Sequence, residues 1–471
     1  MAGKTYKIER GIRKKLNKTR HHQRFLCNAP FVSVSIGVTG FASPCCYMNN
    51  QTEYFIHNSD CFPEKKLFDI WNSENFQFYR ECFKKKAYPK ECVICKNAVE
   101  AGNFESVKSK MYDRYTPHPV YPRIIELTLD NTCNLQCVMC SSLHSSQIAR
   151  KNGMVIEKKN DIDASLSEIR KFIPYLEEMI ISGGEPFLSL PSKKLMQEIV
   201  TNNPACLISV NTNGTILTDE IKLMMEMGNF NFNLSLDSIN KSIYEKIRVG
   251  ANFETVITNL TYFADYAKRK NRGITIPICP LKLNYSELPD IVSFCNVNAY
   301  YIVFVHVFKA HDFALSSADP ELLKEALQMY ESFSFPENDP IQRHNAEQFH
   351  SLIRDVRSWL IFAGKKSDFI GKLEINEEDF NQANYRIEKR IEKYILLKSN
   401  DNAASERLAK WVTKKNKLFE IVPWFFRHEL FYSRLFSFPD EILLHYIEDL
   451  SLKDLKEFFL TFGDEIIEDN S

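Results

Sequence analysis

Between residues 124 and 307, six short strand-like runs alternate with amphipathic helical stretches. The predicted strands are Ile124–Leu129, Met179–Ser182, Leu207–Asn211, Phe230–Asp237, Gly273–Ile278 and Tyr301–Val307. Predicted helices fill the gaps at Ala164–Leu176, Ser192–Val200, Thr218–Met227, Phe253–Arg269 and Ser286–Cys295. Such an order predicts parallel β/α units, either doubly wound or curled into a barrel. The strand faces decide between the two. Asn231, Asn233, Ser235 and Asp237 share one face of the fourth run, opposite Phe230, Phe232, Leu234 and Leu236. The first run sets Glu126, Thr128 and Asp130 opposite Ile125, Leu127 and Leu129 in the same way. An open parallel sheet buries both faces, and a closed barrel fills its centre with branched apolar side chains. Strands polar on one side predict a partial (β/α)6 TIM-like barrel of α/β class, with a wide, wet interior.

Thirteen cysteines are the next constraint, and none follows Cys295. An odd count in a chain of 471 residues, with no apolar export signal at its basic start, argues against a disulfide framework. Cys133, Cys137 and Cys140 form a Cys-x3-Cys-x2-Cys run directly after the first predicted strand. Three thiolates on one loop suit three corners of a cubic iron–sulfur cluster and leave the fourth iron open. Zinc, with His144 as fourth ligand, is the alternative.

Length predicts about three domains, read here as a basic flexible arm (1–24), a cysteine-bearing segment (25–115), the barrel (120–310) and a mostly helical C-terminal region (311–471). In the last, helical periodicity runs through 346–362, 378–397 and 404–419. Lys+Arg 60 balances Asp+Glu 60, so no global charge draws the chain onto nucleic acid. No apolar run reaches the ~18 residues of a membrane span, and the expected location is cytoplasmic. The Lys268–Arg272 patch has the form of a helix C-terminus, with cations at the negative dipole end. His306 is read as a satisfied core histidine.

The cysteine triad at a strand end, with three further motifs, resembles the radical S-adenosylmethionine (SAM) superfamily over roughly 120–310. Gly183-Gly184-Glu185-Pro186 follows the second strand and looks like that family's loop for the SAM amino group. Paired glycines also let backbone approach a ligand closely. Asn211 and Asn213 end the third strand. Ser235 and Asp237 end the fourth, where relatives contact the ribose and carboxylate. Arg248 is a candidate partner of the SAM carboxylate, and Met139 stands where an aromatic is commoner. Cys27, Gly40 and Cys45 (Cys-x12-Gly-x4-Cys), closed by Cys92-x2-Cys95, resemble a SPASM/twitch auxiliary-cluster domain. That segment usually follows the barrel; here it precedes it. Cys46 in place of Cys45, and zinc in place of iron–sulfur, stay open, and Cys61 or Cys82 is a possible accessory ligand.

The resemblance implies two 4Fe–4S clusters and SAM as cofactors. It also implies reductive cleavage of SAM to a 5′-deoxyadenosyl radical, and hydrogen abstraction from a peptide, protein or small-molecule substrate. A one-electron donor such as flavodoxin or ferredoxin is the implied partner, with nucleic acid and membrane disfavoured. The auxiliary cluster would transfer an electron or bind substrate; no catalytic side chain is assigned. An iron–sulfur electron carrier or partner-binding protein without SAM turnover is the competing class.

Overall fold

The computed structural model describes residues 5–7, 26–48, 60–100, 107–118, 120–151, 162–307, 313–371 and 389. The strands are β1 (Thr5–Lys7), β2 (Ser33–Ile36), β3 (Ala42–Ser43), β4 (Ala87–Pro89), β5 (Ile124–Thr128), β6 (Glu178–Ser182), β7 (Leu207–Thr212), β8 (Phe230–Leu234), β9 (Thr275–Ile278) and β10 (Tyr301–Phe304). One sheet of eight runs β10-β9-β8-β7-β6-β5-β2-β3. From β5 to β10 every neighbouring pair is parallel. Sequential parallel strands joined by helices, with β3 and β10 left at separate edges, make an incomplete barrel.

Period-2 alternation explains the layering. Ile125, Leu127, Met179, Ile181, Ile208, Val210, Phe232 and Leu234 point outward into one buried core. There they meet the helices that cross between strands, including Leu195 and Ile199 of Leu190–Asn202 and Phe263 of Phe253–Arg269. These helices begin at side-chain caps: Ser189 accepts from Ser192 N–H, and Asn252 from Thr255 N–H. The opposite face is polar. Asn233 Nδ2 donates to Asn211 Oδ1 at 2.7 Å, and Asn211 Nδ2 donates to Ser182 Oγ, linking β8, β7 and β6 across the inner wall.

The sheet is two strands wider than the six expected. β2 pairs parallel with β5 and turns back antiparallel as β3. The cysteine-bearing segment therefore shares its sheet with the barrel. Gly40 closes the hairpin at φ +84°, a left-handed conformation that favours glycine. The core of this segment (Leu26, Val32, Tyr79, Phe83, Val99, Tyr112, Tyr115) continues into Ile124 and Ile180. Ile180 alternates with the outward Met179 and Ile181, so the segment packs on the inner face.

The basic arm is corrected in part: Thr5–Lys7 pair antiparallel with Ala87–Pro89, because β4 offers an otherwise open edge. In the eight-stranded sheet the edge strand β10 is covered by the helix Pro340–Gly371. Its Asn345 accepts Ile302 N–H at 2.9 Å and donates to Tyr300 O at 2.9 Å. β10 ends at Phe304, two residues short of His306, whose Nε2 lies 3.2 Å from Asp355 Oδ2. The basic patch is a helix end as expected: Arg269 pairs with Glu226, and Arg272 donates to Phe230 O. The readings at 378–397, 404–419 and 420–471 lie outside the described residues, apart from helical residue 389. Among the described residues no helix is long and apolar enough to cross a membrane.

Candidate active site and auxiliary thiol cavity

Cys133, Cys137 and Cys140 lie on the loop after β5, at the C-terminal rim of the parallel strands. Ligands bind at that rim in such folds. Serines secure the loop. Ser146 Oγ accepts Cys133 N–H and donates to Cys133 O, both at 3.1 Å, while Ser145 donates to Leu135 O at 2.6 Å. Cys133 Sγ accepts Leu135 N–H at 3.4 Å. Burial pushes the Cys137 thiol up to about 11, and burial plus the neighbouring Cys137 and Cys133 push Cys140 to about 12. Free thiols here hold their protons at neutral pH, and a metal must displace them.

The Gly183–Pro186 turn abuts this loop. Glu185 N–H donates to Thr132 O at 2.7 Å. A Cβ on Gly184 would meet Thr132 O at 2.2 Å, and one on Gly183 (φ +136°) would meet Asp130 O at 2.8 Å. Only glycine permits that approach. The Glu185 carboxylate has no exposure and accepts from Phe187 N–H, Thr212 Oγ1 and Asn213 N–H at 3.1, 2.8 and 2.7 Å. Burial still outweighs those bonds and lifts it to about 7. Asn213 is also buried and donates to Asn134 Oδ1 at 3.1 Å, tying the end of β7 to the cysteine loop.

Of the residues expected to contact SAM, Glu185, Asn213 and Asp237 spend their side chains locking loops together. Asp237 has no exposed side-chain surface and takes Arg248 on Oδ2 and Cys279 N–H on Oδ1. The backbones of Gly183 and Gly184, with Met139, Asn211 and Ser235, remain partly accessible around the cysteine loop, and Pro186 is buried.

The second thiol group is equally built. Cys27, Cys45, Cys92 and Cys95 all line one cavity, with Met48, Tyr88, Lys108 and Ser109 also in its wall. Cys46 is absent from that lining, as are Cys61 and Cys82. Cys27 Sγ accepts Ala29 N–H at 3.4 Å, and Cys95 accepts backbone N–H groups of Lys108 and Ser109. Backbone donors aimed at sulfur suit a cluster thiolate. Among the described residues, no three His, Cys, Asp or Glu side chains converge at single-ion spacing; a four-iron cube holds its thiolates further apart. Lys108, in the cavity wall, interacts electrostatically with Cys46, the inner-face Glu126 and Cys45. Glu126 Oε2 is buried without a hydrogen bond.

Sequence reasoning missed Ser145, Ser146, Asn134, Lys108 and Glu126 as site residues. The serine-rich run after Cys140 was a usable signal, whereas Lys108 carried none.

Fold and site together define an iron–sulfur enzyme with an open β/α barrel and two thiol centres. A family model for the radical SAM superfamily matches residues 128–295, and one for the SPASM iron–sulfur cluster-binding domain matches 27–97. The chain thus carries a radical SAM domain with a SPASM segment ahead of it, and these domains indicate 4Fe–4S clusters and SAM as cofactors.

Similar curated proteins include a probable GTP 3′,8-cyclase of Methanocaldococcus jannaschii, 28% identical over 37% of this chain and 55% of that one. A GTP 3′,8-cyclase of Limosilactobacillus fermentum is 26% identical over 51% of this chain and 72% of its own length. The chain thus spans little more than half of the archaeal relative. Solved structures with a partial likeness include Streptococcus suis SuiB bound to SAM (TM-score 0.34, 13% identity, 56% of this chain and 60% of that one). Another is anSMEcpe with bound SAM (TM-score 0.33, 18% identity, 43% and 57%).

Proposed function

We propose that Cys133, Cys137 and Cys140 hold the cluster that binds SAM, and that Cys27, Cys45, Cys92 and Cys95 hold an auxiliary 4Fe–4S cluster. When bound, the first group supplies the electron that splits SAM into methionine and a 5′-deoxyadenosyl radical. The chain's own residues do the rest. The Gly183–Gly184 backbone closes on the cysteine loop, Glu185 and Asn213 hold the rim rigid, and the amide ladder Ser182–Asn211–Asn233 offers polar contacts to a substrate inside the barrel. The observation that carries this reading is the backbone seat of the glycine turn on Thr132, where no side chain fits.

The favoured substrate is a peptide or protein segment, with hydrogen taken from it by the adenosyl radical. The inner wall is built of neutral amides and hydroxyls. The described cations beside it, Lys108, Arg114 and Arg248, are each set against an acidic group, which leaves little to neutralise a polyphosphate. GTP is the second reading, favoured by the names of the curated relatives.

The test is iron content and 5′-deoxyadenosine formation in anaerobically reconstituted wild type and a Cys133/Cys137/Cys140→Ala triple variant. About eight irons should fall to about four, and only the wild type should form 5′-deoxyadenosine. A triple variant that keeps all its iron overturns the assignment. Added GTP that raises 5′-deoxyadenosine above the substrate-free rate selects the second reading.

A further inference from the structure

Two segments that lie over a hundred residues apart in the chain are clamped together at the cysteine loop. Gln136 N–H donates to Val249 O at 2.8 Å, and Val138 N–H donates to Ile247 O at 2.9 Å. The residues between those bonds are Cys137 and Arg248, and Arg248 Nη1 lies 3.9 Å from Cys137 Sγ. Backbone register, not side-chain freedom, therefore sets this contact. The guanidinium is fixed from behind, with Nε at 2.7 Å and Nη2 at 2.6 Å from Asp237 Oδ2. Asp237 is held in turn by Cys279 N–H on Oδ1 at 2.7 Å and by Asn284 Nδ2 on its backbone carbonyl at 2.6 Å. Sulfur, cation and carboxylate form a row that is half-buried at Cys137 and buried at Arg248 and Asp237, where charges act on one another with reduced screening.

We propose that this row sets the reduction potential of the cluster: the Arg248 cation acts directly on Cys137, and the paired Asp237 carboxylate opposes it with its negative charge. The inference rests on the proposed assignment of Cys133, Cys137 and Cys140 to the SAM-binding cluster. Reduction brings one electron from the one-electron donor onto that cluster. The Arg248 cation beside Cys137 favours the more negative state and raises the potential. Asp237 offsets part of that effect. Hydrogen bonds and charge at cluster sulfurs are established determinants of such potentials.

The test is a potentiometric EPR titration of the full chain, anaerobically reconstituted and free of SAM, in wild type, Arg248→Gln, Arg248→Lys and Asp237→Asn. The signal followed is the one that the triple cysteine variant lacks. Arg248→Gln should shift the potential negative, Asp237→Asn should shift it positive, and Arg248→Lys should lie between Arg248→Gln and wild type. Shifts of one sign in both Gln and Asn variants, or no shift, overturn the proposal. Arg248 serving only a SAM carboxylate gives no shift in SAM-free protein. If Asp237→Asn fails to hold iron, the order of the Gln and Lys variants decides alone. A signal that survives in the triple variant instead overturns the cluster assignment.

Discussion

Glu185 is a fully buried carboxylate with three donors, lifted to about 7 by burial. Its folded value lies above the ordinary carboxylate range, so between those two values the folded chain binds more protons than the unfolded chain. Its contribution is fully present below the unfolded value and is lost as pH rises through about 7. The difference in urea midpoint between wild type and Glu185→Gln should therefore change over roughly pH 5 to 8. Glu185→Gln also turns an amide nitrogen toward at least one donor and should cost about 1–3 kcal/mol at acidic pH. Gly184→Ala acts through space: its Cβ falls 2.2 Å from Thr132 O. That substitution should displace the cysteine loop, lowering bound iron from about eight toward about four and SAM cleavage by roughly tenfold or more in the reconstituted protein. The glycine pair was legible in the sequence as a close-approach turn. The buried state of Glu185 was not, because a Gly-Gly-Glu-Pro string does not say which way the carboxylate points.

At the scale of elements, each sheet edge is managed by a different device. β10 is closed by Asn345, which is fully buried and satisfies Ile302 N–H and Tyr300 O at once. Asn345→Leu leaves both unsatisfied and should lower stability by about 2–6 kcal/mol by urea denaturation, since each orphaned buried group costs about 1–3. β5 is extended by β2 and β3. The central strands were readable because β5, β7 and β8 alternate apolar and polar residues and side-chain-capped helices follow β6, β7 and β8. The hairpin was not, because β3 has only two residues and the hairpin joins the sheet through the long-range pairing of β2 with β5.

For the molecule as a whole, the shared sheet fixes where the auxiliary centre lies. The segment that carries Cys27, Cys45, Cys92 and Cys95 packs on the inner face, and Lys108 in its cavity wall interacts electrostatically with Glu126. Cys45 lines that cavity and Cys46 does not. Cys45→Ala should consequently lose about four irons of a reconstituted total near eight, whereas Cys46→Ala should keep them. Equal losses would place both cysteines at the cluster.

By itself the sequence determined the partial barrel, the cysteine triad at its rim and the second cysteine group, because these depend on local periodicity and short spacings. The pairing of Asp237 with Arg248 and the clamp of Arg248 on Cys137 were decided only by the tertiary structure, as was the burial of Glu185. So was the union of the auxiliary segment with the barrel sheet. Each of these joins residues whose contact depends on how strand ends and loops meet at one rim, and no one-dimensional pattern encodes that meeting.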